Sequence, residues 1–146
     1  MKKNDAHLKL KNRVALVTGS SQGIGLAIAL ALGREGSKIA LCSRNKGNIQ
    51  KASTLLKKNH VEHLPYIGNA MSKDFPQKII GKIIKKWGQL EILVNNVGGI
   101  AKIGTFFELQ VKDWIHAFYL NVLSTVRMCR AAVPYLKKSS SPRIIN

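Results

Sequence analysis

Eight consecutive residues carry the densest chemical signal in the chain: Thr18, Gly19, Ser20, Ser21, Gln22, Gly23, Ile24 and Gly25, spelling T-G-x-x-x-G-I-G. They follow a short apolar run and precede a helical pattern, the setting in which such a turn accepts phosphate. Gly19 permits a tight exit from a strand, Gly23 lets a pyrophosphate approach the backbone, and Gly25 lets helix and strand pack closely. The helix that follows offers unpaired N–H groups and the positive end of its dipole to an anion. Glycines also mark ordinary turns, so it is the strand-turn-helix context that favours phosphate here. A second group stands at the end of the next apolar run, where the sequence reads Leu41, Cys42, Ser43, Arg44. An acidic residue at that place takes the ribose hydroxyls of NAD, and an arginine takes the additional phosphate of NADP. With no carboxylate present, the expected cofactor is NADP, with NAD the less favoured choice. A solvated loop arginine is the bland alternative.

The elements that must position these groups follow from periodicity. Short apolar runs alternate with longer stretches of helical spacing from Arg13 onward, the pattern of a parallel sheet covered by crossover helices. Strands are predicted at Val14 to Val17, Ile39 to Cys42, around His63 to Ile67, and Ile92 to Asn95. The first helix runs through about Arg34 and ends at Gly36. Ile49, Ala52, Leu55 and Leu56 mark the second helix. Ile79, Ile80, Ile83, Ile84 and Trp87 line one face of the third, with Lys78, Lys82 and Lys86 opposite. One long helix is expected from roughly Lys112 to Leu136, and Arg143 to Asn146 open a fifth strand. The expected fold is α/β, a single doubly wound parallel sheet of the Rossmann type over residues 1–146, with order 3-2-1-4-5 and the chain stopping at the fifth strand.

Composition narrows the function classes. The chain has 146 residues, 24 Lys plus Arg against 7 Asp plus Glu, and a formal net charge of +17. Hydrophobic residues make up 45% and charged residues 21%, which fits a packed domain and is too apolar for a disordered basic tail. Ile24 to Leu32, about nine residues, is less than half of the roughly 20 a membrane-spanning helix needs, so no membrane partner is expected. Lys2 and Lys3 are followed by Asn4, Asp5, His7, Lys9 and Lys11 where a signal peptide would be apolar, so the expected location is the cytoplasm. Cys42 and Cys129 are far apart, without metal-ligand spacing, and read as reduced core thiols; no metal is expected. High positive charge attracts nucleic acid in general, but these lysines are spread over several helices without aromatic residues placed for base stacking. They read as solvated faces, and no specific nucleic-acid partner is expected.

The glycine turn, with Asn95, Asn96, Val97 and Gly98 after the fourth strand, resembles the short-chain dehydrogenase/reductase family over nearly the whole chain. The latter four residues match the family's N-N-A-G motif, with Val97 in place of Ala. The resemblance implies that this segment borders the cofactor and stabilises the central sheet. It also implies that Asn121 is the helix Asn of the catalytic tetrad, holding a water for proton relay, and that Asn69 stands where the family usually has an Asp contacting adenine. Trp114, Ala117, Phe118, Thr125, Met128 and Ala132 share the helical face of Asn121, so its amide is expected to point into the core. A structural Asn bonding backbone is the bland alternative. Gly98-Gly99, Phe107-Glu108-Leu109, Asp113-Trp114 and Ala131-Ala132-Val133-Pro134 look most like members that are 3-oxoacyl-carrier-protein reductases.

The resemblance implies hydride transfer between NADP(H) and a small carbonyl or alcohol, such as a 3-oxoacyl thioester, in a complete protein that is a homo-oligomer. It also places a catalytic Ser and a Tyr-x-x-x-Lys beyond the fifth strand. Tyr119 and Tyr135 cannot substitute, because four positions onward stand Leu123 and Ser139 instead of Lys. The alternative is a nucleotide-binding or subunit-pairing fragment without turnover.

Overall fold

The computed structural model describes residues 9–146, so Lys2, Lys3, Asn4, Asp5 and His7 lie outside the described residues. Four parallel strands form in the predicted places: β1 (Val14–Val17), β2 (Lys38–Ser43), β3 (His63–Ile67) and β4 (Ile92–Val94). A fifth, β5 (Arg143–Ile145), pairs in parallel with β4. The sheet order is β3-β2-β1-β4-β5. All four residues of β1 are buried, because helices cover both faces of the sheet and no strand position at its centre meets water.

Alternation along the strands divides the core into two layers. Ala15, Val17, Ile39 and Leu41 pack under α1 (Gly23–Arg34) and α2 (Lys46–Lys58), meeting Ala29, Ile49, Ala52 and Leu56. Val14, Leu16, Ala40 and Leu93 face α3 (Phe75–Trp87) and the last helix, meeting Ile79, Ile83, Met128 and Ala132. Local chemistry sets the helix ends. Asn45 caps α2 by accepting from the Asn48 backbone N–H at 2.9 Å, and Gly88 closes α3 in the left-handed conformation, φ +74°.

The region from 111 to 136 departs from the single long helix expected there. It comprises α4 (Val111–Phe118), a π-helical turn at Tyr119–Leu123, and α5 (Ser124–Leu136). At the turn the Ser124 N–H reaches back five residues to the Tyr119 carbonyl. The Leu120 and Asn121 carbonyls are instead taken by the Ser124 and Thr125 hydroxyls, one helical turn on. Hydroxyls bonding back along the helix compete with its ladder, and here they support the wider turn. A capping box between Gln110 and Asp113 starts α4. No described helix is long and apolar enough to cross a membrane.

Candidate dinucleotide cleft

The chain reverses its direction of winding between β1 and β4, and at the carboxyl ends of these strands lies a cavity of about 350 Å³. Open α/β sheets bind ligands at such switch points. Buried Thr18 organises the junction: its Oγ1 accepts from the backbone N–H groups of Asn96 at 2.9 Å and Val97 at 3.0 Å. Asn96 reciprocates, its Nδ2 donating to the Thr18 carbonyl at 3.0 Å and the Gly19 carbonyl at 3.2 Å. The turn after β1 is thereby fastened to the segment after β4.

Each glycine of the turn has a distinct spatial reason. Gly19 has φ +63°, and a side chain there would press on Val97 at 3.1 Å. Gly25 lies so close beneath the turn that a Cβ would stand 2.5 Å from the Gly19 carbonyl. Gly23, with φ +57°, has open space where a Cβ would project, so the backbone at the head of α1 is bare toward the cleft. That bare helix start, whose first N–H groups have no intrahelical acceptor, fits the pyrophosphate of a dinucleotide.

The cleft brings together Gly19, Ser21, Gln22, Gly23, Ser43, Arg44, Asn69, Val97 and Gly98 among the residues expected to bind cofactor. Arg44 is exposed at its edge and is the only charged side chain among the described lining residues. Asn69 Oδ1 accepts from the Met71 N–H at 3.0 Å, which fixes the amide at the rim. Gln22 Oε1 accepts from Asn48 Nδ2 at 2.9 Å, linking the glycine turn to α2. Cys42 forms part of the wall. Burial pushes its thiol up to about 12 against a smaller opposing effect of the Gly19 backbone, so it stays neutral and is no nucleophile.

Other candidates serve the frame of the cleft. Ser20 is fully buried, donates to the Val17 carbonyl at 2.6 Å and accepts from the Cys42 N–H at 3.1 Å, stitching β1 to β2. Gly25 packs inward, whereas the Ile24 side chain is 76% exposed outside the cavity. Asn95 turns toward the other side, donating to Asn146 Oδ1 at 2.8 Å and to the sulfur of half-buried Cys129 at 3.3 Å. Cys129 is therefore at the margin of the core, unlike Cys42.

Asn121 differs from the core-facing amide expected of it. It is exposed, its Nδ2 donates to the Gly99 carbonyl at 2.8 Å and the Ala117 carbonyl at 2.7 Å, and its Oδ1 accepts from the Gly99 N–H at 2.9 Å. The π turn rotates the following residues, so helical spacing across it no longer identifies a shared face. Trp114 and Phe118, expected on the buried side, are about half exposed. Sequence reasoning missed Asn96 as the clamp on the glycine turn, and Gly68, Ala70, Phe75 and Leu120 as lining residues. The doubled Asn after β4 was the available signal for Asn96; the others depend on how loops fold back.

Comparison with known proteins agrees with this geometry. The chain is 30% identical over 138 residues to tropinone reductase-like 3 from Erythroxylum coca, covering 94% of this chain and 54% of that protein. Its fold matches xylitol dehydrogenase with NAD+ bound at a TM-score of 0.88 and 26% identity, covering 93% of this chain and 52% of the other. The L-sorbose reductase of Gluconobacter frateurii, complexed with NADPH and L-sorbose, matches at 0.85 and 30%, with coverage of 92% and 51%. The chain thus spans about half the length of the relatives it matches. The family model for short chain dehydrogenase matches residues 13–146, and with the glycine turn, the switch-point cleft and the strand order in place, the chain belongs to the short-chain dehydrogenase family.

Proposed function

We propose that the cleft binds NADP and that this chain provides the cofactor-binding part of an oxidoreductase acting on a small carbonyl or alcohol. A 3-oxoacyl thioester is the substrate class suggested by Gly98-Gly99, Phe107-Glu108-Leu109, Asp113-Trp114 and Ala131-Ala132-Val133-Pro134. The observation that carries the cofactor assignment is Arg44, the single charged side chain among the described residues that line the cleft, with no carboxylate among them to repel a phosphate. When bound, the nicotinamide supplies the hydride acceptor or donor. The chain's own residues hold it: the head of α1 takes the pyrophosphate, Arg44 and Ser43 take the ribose phosphate, and Asn69 meets the adenine edge. Asn121 is a positioning residue in this arrangement. Both of its amide hydrogens bond backbone carbonyls, so it sets the Gly98–Gly99 wall instead of presenting a free donor.

Calorimetric titration of the chain with NADPH and NADH tests the reading. Tighter binding of NADPH by about tenfold or more, equivalent to about 1.4 kcal/mol, is the expected result. Tighter NADH binding reverses the cofactor assignment, and binding of neither removes it.

A further inference from the structure

A cavity of about 790 Å³ lies apart from the dinucleotide cleft and shares no lining residue with it. It is a groove around the outer edge of the sheet, between α2 and β3. Ile49, Leu64, Pro65, Tyr66 and Ile67 give it apolar walls. Its volume lies within the range of small-molecule sites. Two lysines frame it, Lys46 from the start of α2 and Lys82 reaching around the edge from α3, and no acidic residue lines it. Neither forms an ion pair among the described residues, whereas Lys38 and Lys78 do. An open groove with an apolar floor and two unpaired cations is complementary to a ligand with an apolar body and an anionic head.

The edge itself limits the choice of occupant. A peptide strand adding to β3 would need donors along the free edge. The ladder to β2 uses the Gly68 N–H and the Glu62 carbonyl, so alternation turns His63, Pro65 and Ile67 outward. Pro65, at the middle of that outward set, has no N–H to give. Strand addition is thereby discouraged while the apolar surface stays open. We propose that this groove binds a small anionic amphiphile: a carboxylate, sulfate or phosphate head held by Lys46 and Lys82, with an alkyl or aromatic body against Ile49, Pro65 and Ile67. This site is independent of whether the glycine turn holds a dinucleotide.

The test is a titration of the isotope-labelled chain with laurate, followed by amide chemical shifts, with and without NADPH. Shifts concentrated at 46–54 and 64–67, and unchanged by NADPH, are expected. Dodecanol, which has the same body without the charge, should bind at least about tenfold more weakly, as should laurate to the Lys46→Glu/Lys82→Glu variant. Both lysines are exposed, so the variant should keep its fold, which circular dichroism checks. Thr54→Trp, filling the groove without altering charge, should also lose laurate. Shifts confined to the α4–α5 surface, equal binding of dodecanol, unchanged affinity in the variants, or no saturation by about 1 mM would each overturn the proposal.

Discussion

A guanidinium forms two charge-assisted bonds to a phosphate, and hydrogen bonds to charged groups contribute about 1.5 to 3 kcal/mol. Arg44 is the one charged side chain among the described residues of the cleft, and Gln22 occupies a position of the glycine turn from which a basic residue could have shared the load. Arg44→Ala should therefore weaken NADP by ~10- to 100-fold and leave NAD nearly unchanged, as measured by calorimetry. Equal losses for both would mean that Arg44 does not read the phosphate. A second residue-scale prediction concerns pH. Glu62 accepts from Trp87 Nε1 at 2.6 Å and lies 3.5 Å from Lys38 Nζ, and these interactions, the Trp87 bond foremost, hold its carboxyl below the usual carboxylate range. A depressed folded-state pKa gives stability that is present above the unfolded value and is lost as pH falls through the folded one. Because the pair is half exposed, Glu62→Gln should cost less than about 1 kcal/mol at neutral pH. The cost should vanish in acid; urea titrations at both pH values measure it.

At the scale of the element, the π turn between α4 and α5 couples a helix to a loop. Asn121 can clasp Gly99 through two hydrogen bonds, with a third to the Ala117 carbonyl, because the widened turn swings its amide out of the core. Removing the amide frees the 97–104 segment, which carries no regular structure of its own. Asn121→Ala should lower stability by about 1 kcal/mol, since the bonds are solvent-exposed, while accelerating amide exchange at Gly99 well beyond the global change. Asn121→Asp retains the acceptor toward the Gly99 N–H but cannot donate to its carbonyl, so it should fall between the two. Uniform exchange changes across the whole chain would indicate a packing role instead.

At the scale of the molecule, α4 buries none of its residues, and Trp114, Ile115, Phe118, Tyr119 and Val122 present a continuous apolar face. A continuous exposed apolar patch of this kind marks an association surface. The chain should self-associate in light scattering at high concentration, and Phe118→Glu should shift it toward monomer. A monodisperse monomer of the unaltered chain would sink the idea. The same scale governs turnover. Tyr119 and Tyr135 lack the paired Lys four positions on, and the loss of a positioned general acid typically removes ~10² to 10⁴ in rate. A polypeptide of these 146 residues should oxidise NADPH with acetoacetyl thioesters only near background. A rate typical of an intact reductase would show that another group donates the proton.

The places of the strands, the glycine turn and the position of Arg44 were legible in the sequence because each is enforced locally. Buried parallel strands need unbroken apolar runs such as Val14 to Val17, a turn with positive φ at Gly19 and Gly23 needs glycine, and Arg44 follows directly from the end of β2. What the sequence left open depends on contacts between distant segments. Ser20 reads like any hydroxyl near a phosphate turn, yet its bonds to Val17 and Cys42 commit it to the sheet. Asn95 and Asn96 are indistinguishable as letters, and only the twist of the chain after β4 sends one toward Cys129 and the other onto the glycine turn. Asn121 reads as a core residue under regular helical spacing. A five-residue π turn breaks that spacing, and it is stabilised by hydroxyl-to-carbonyl bonds from Ser124 and Thr125 that no hydrophobic periodicity records.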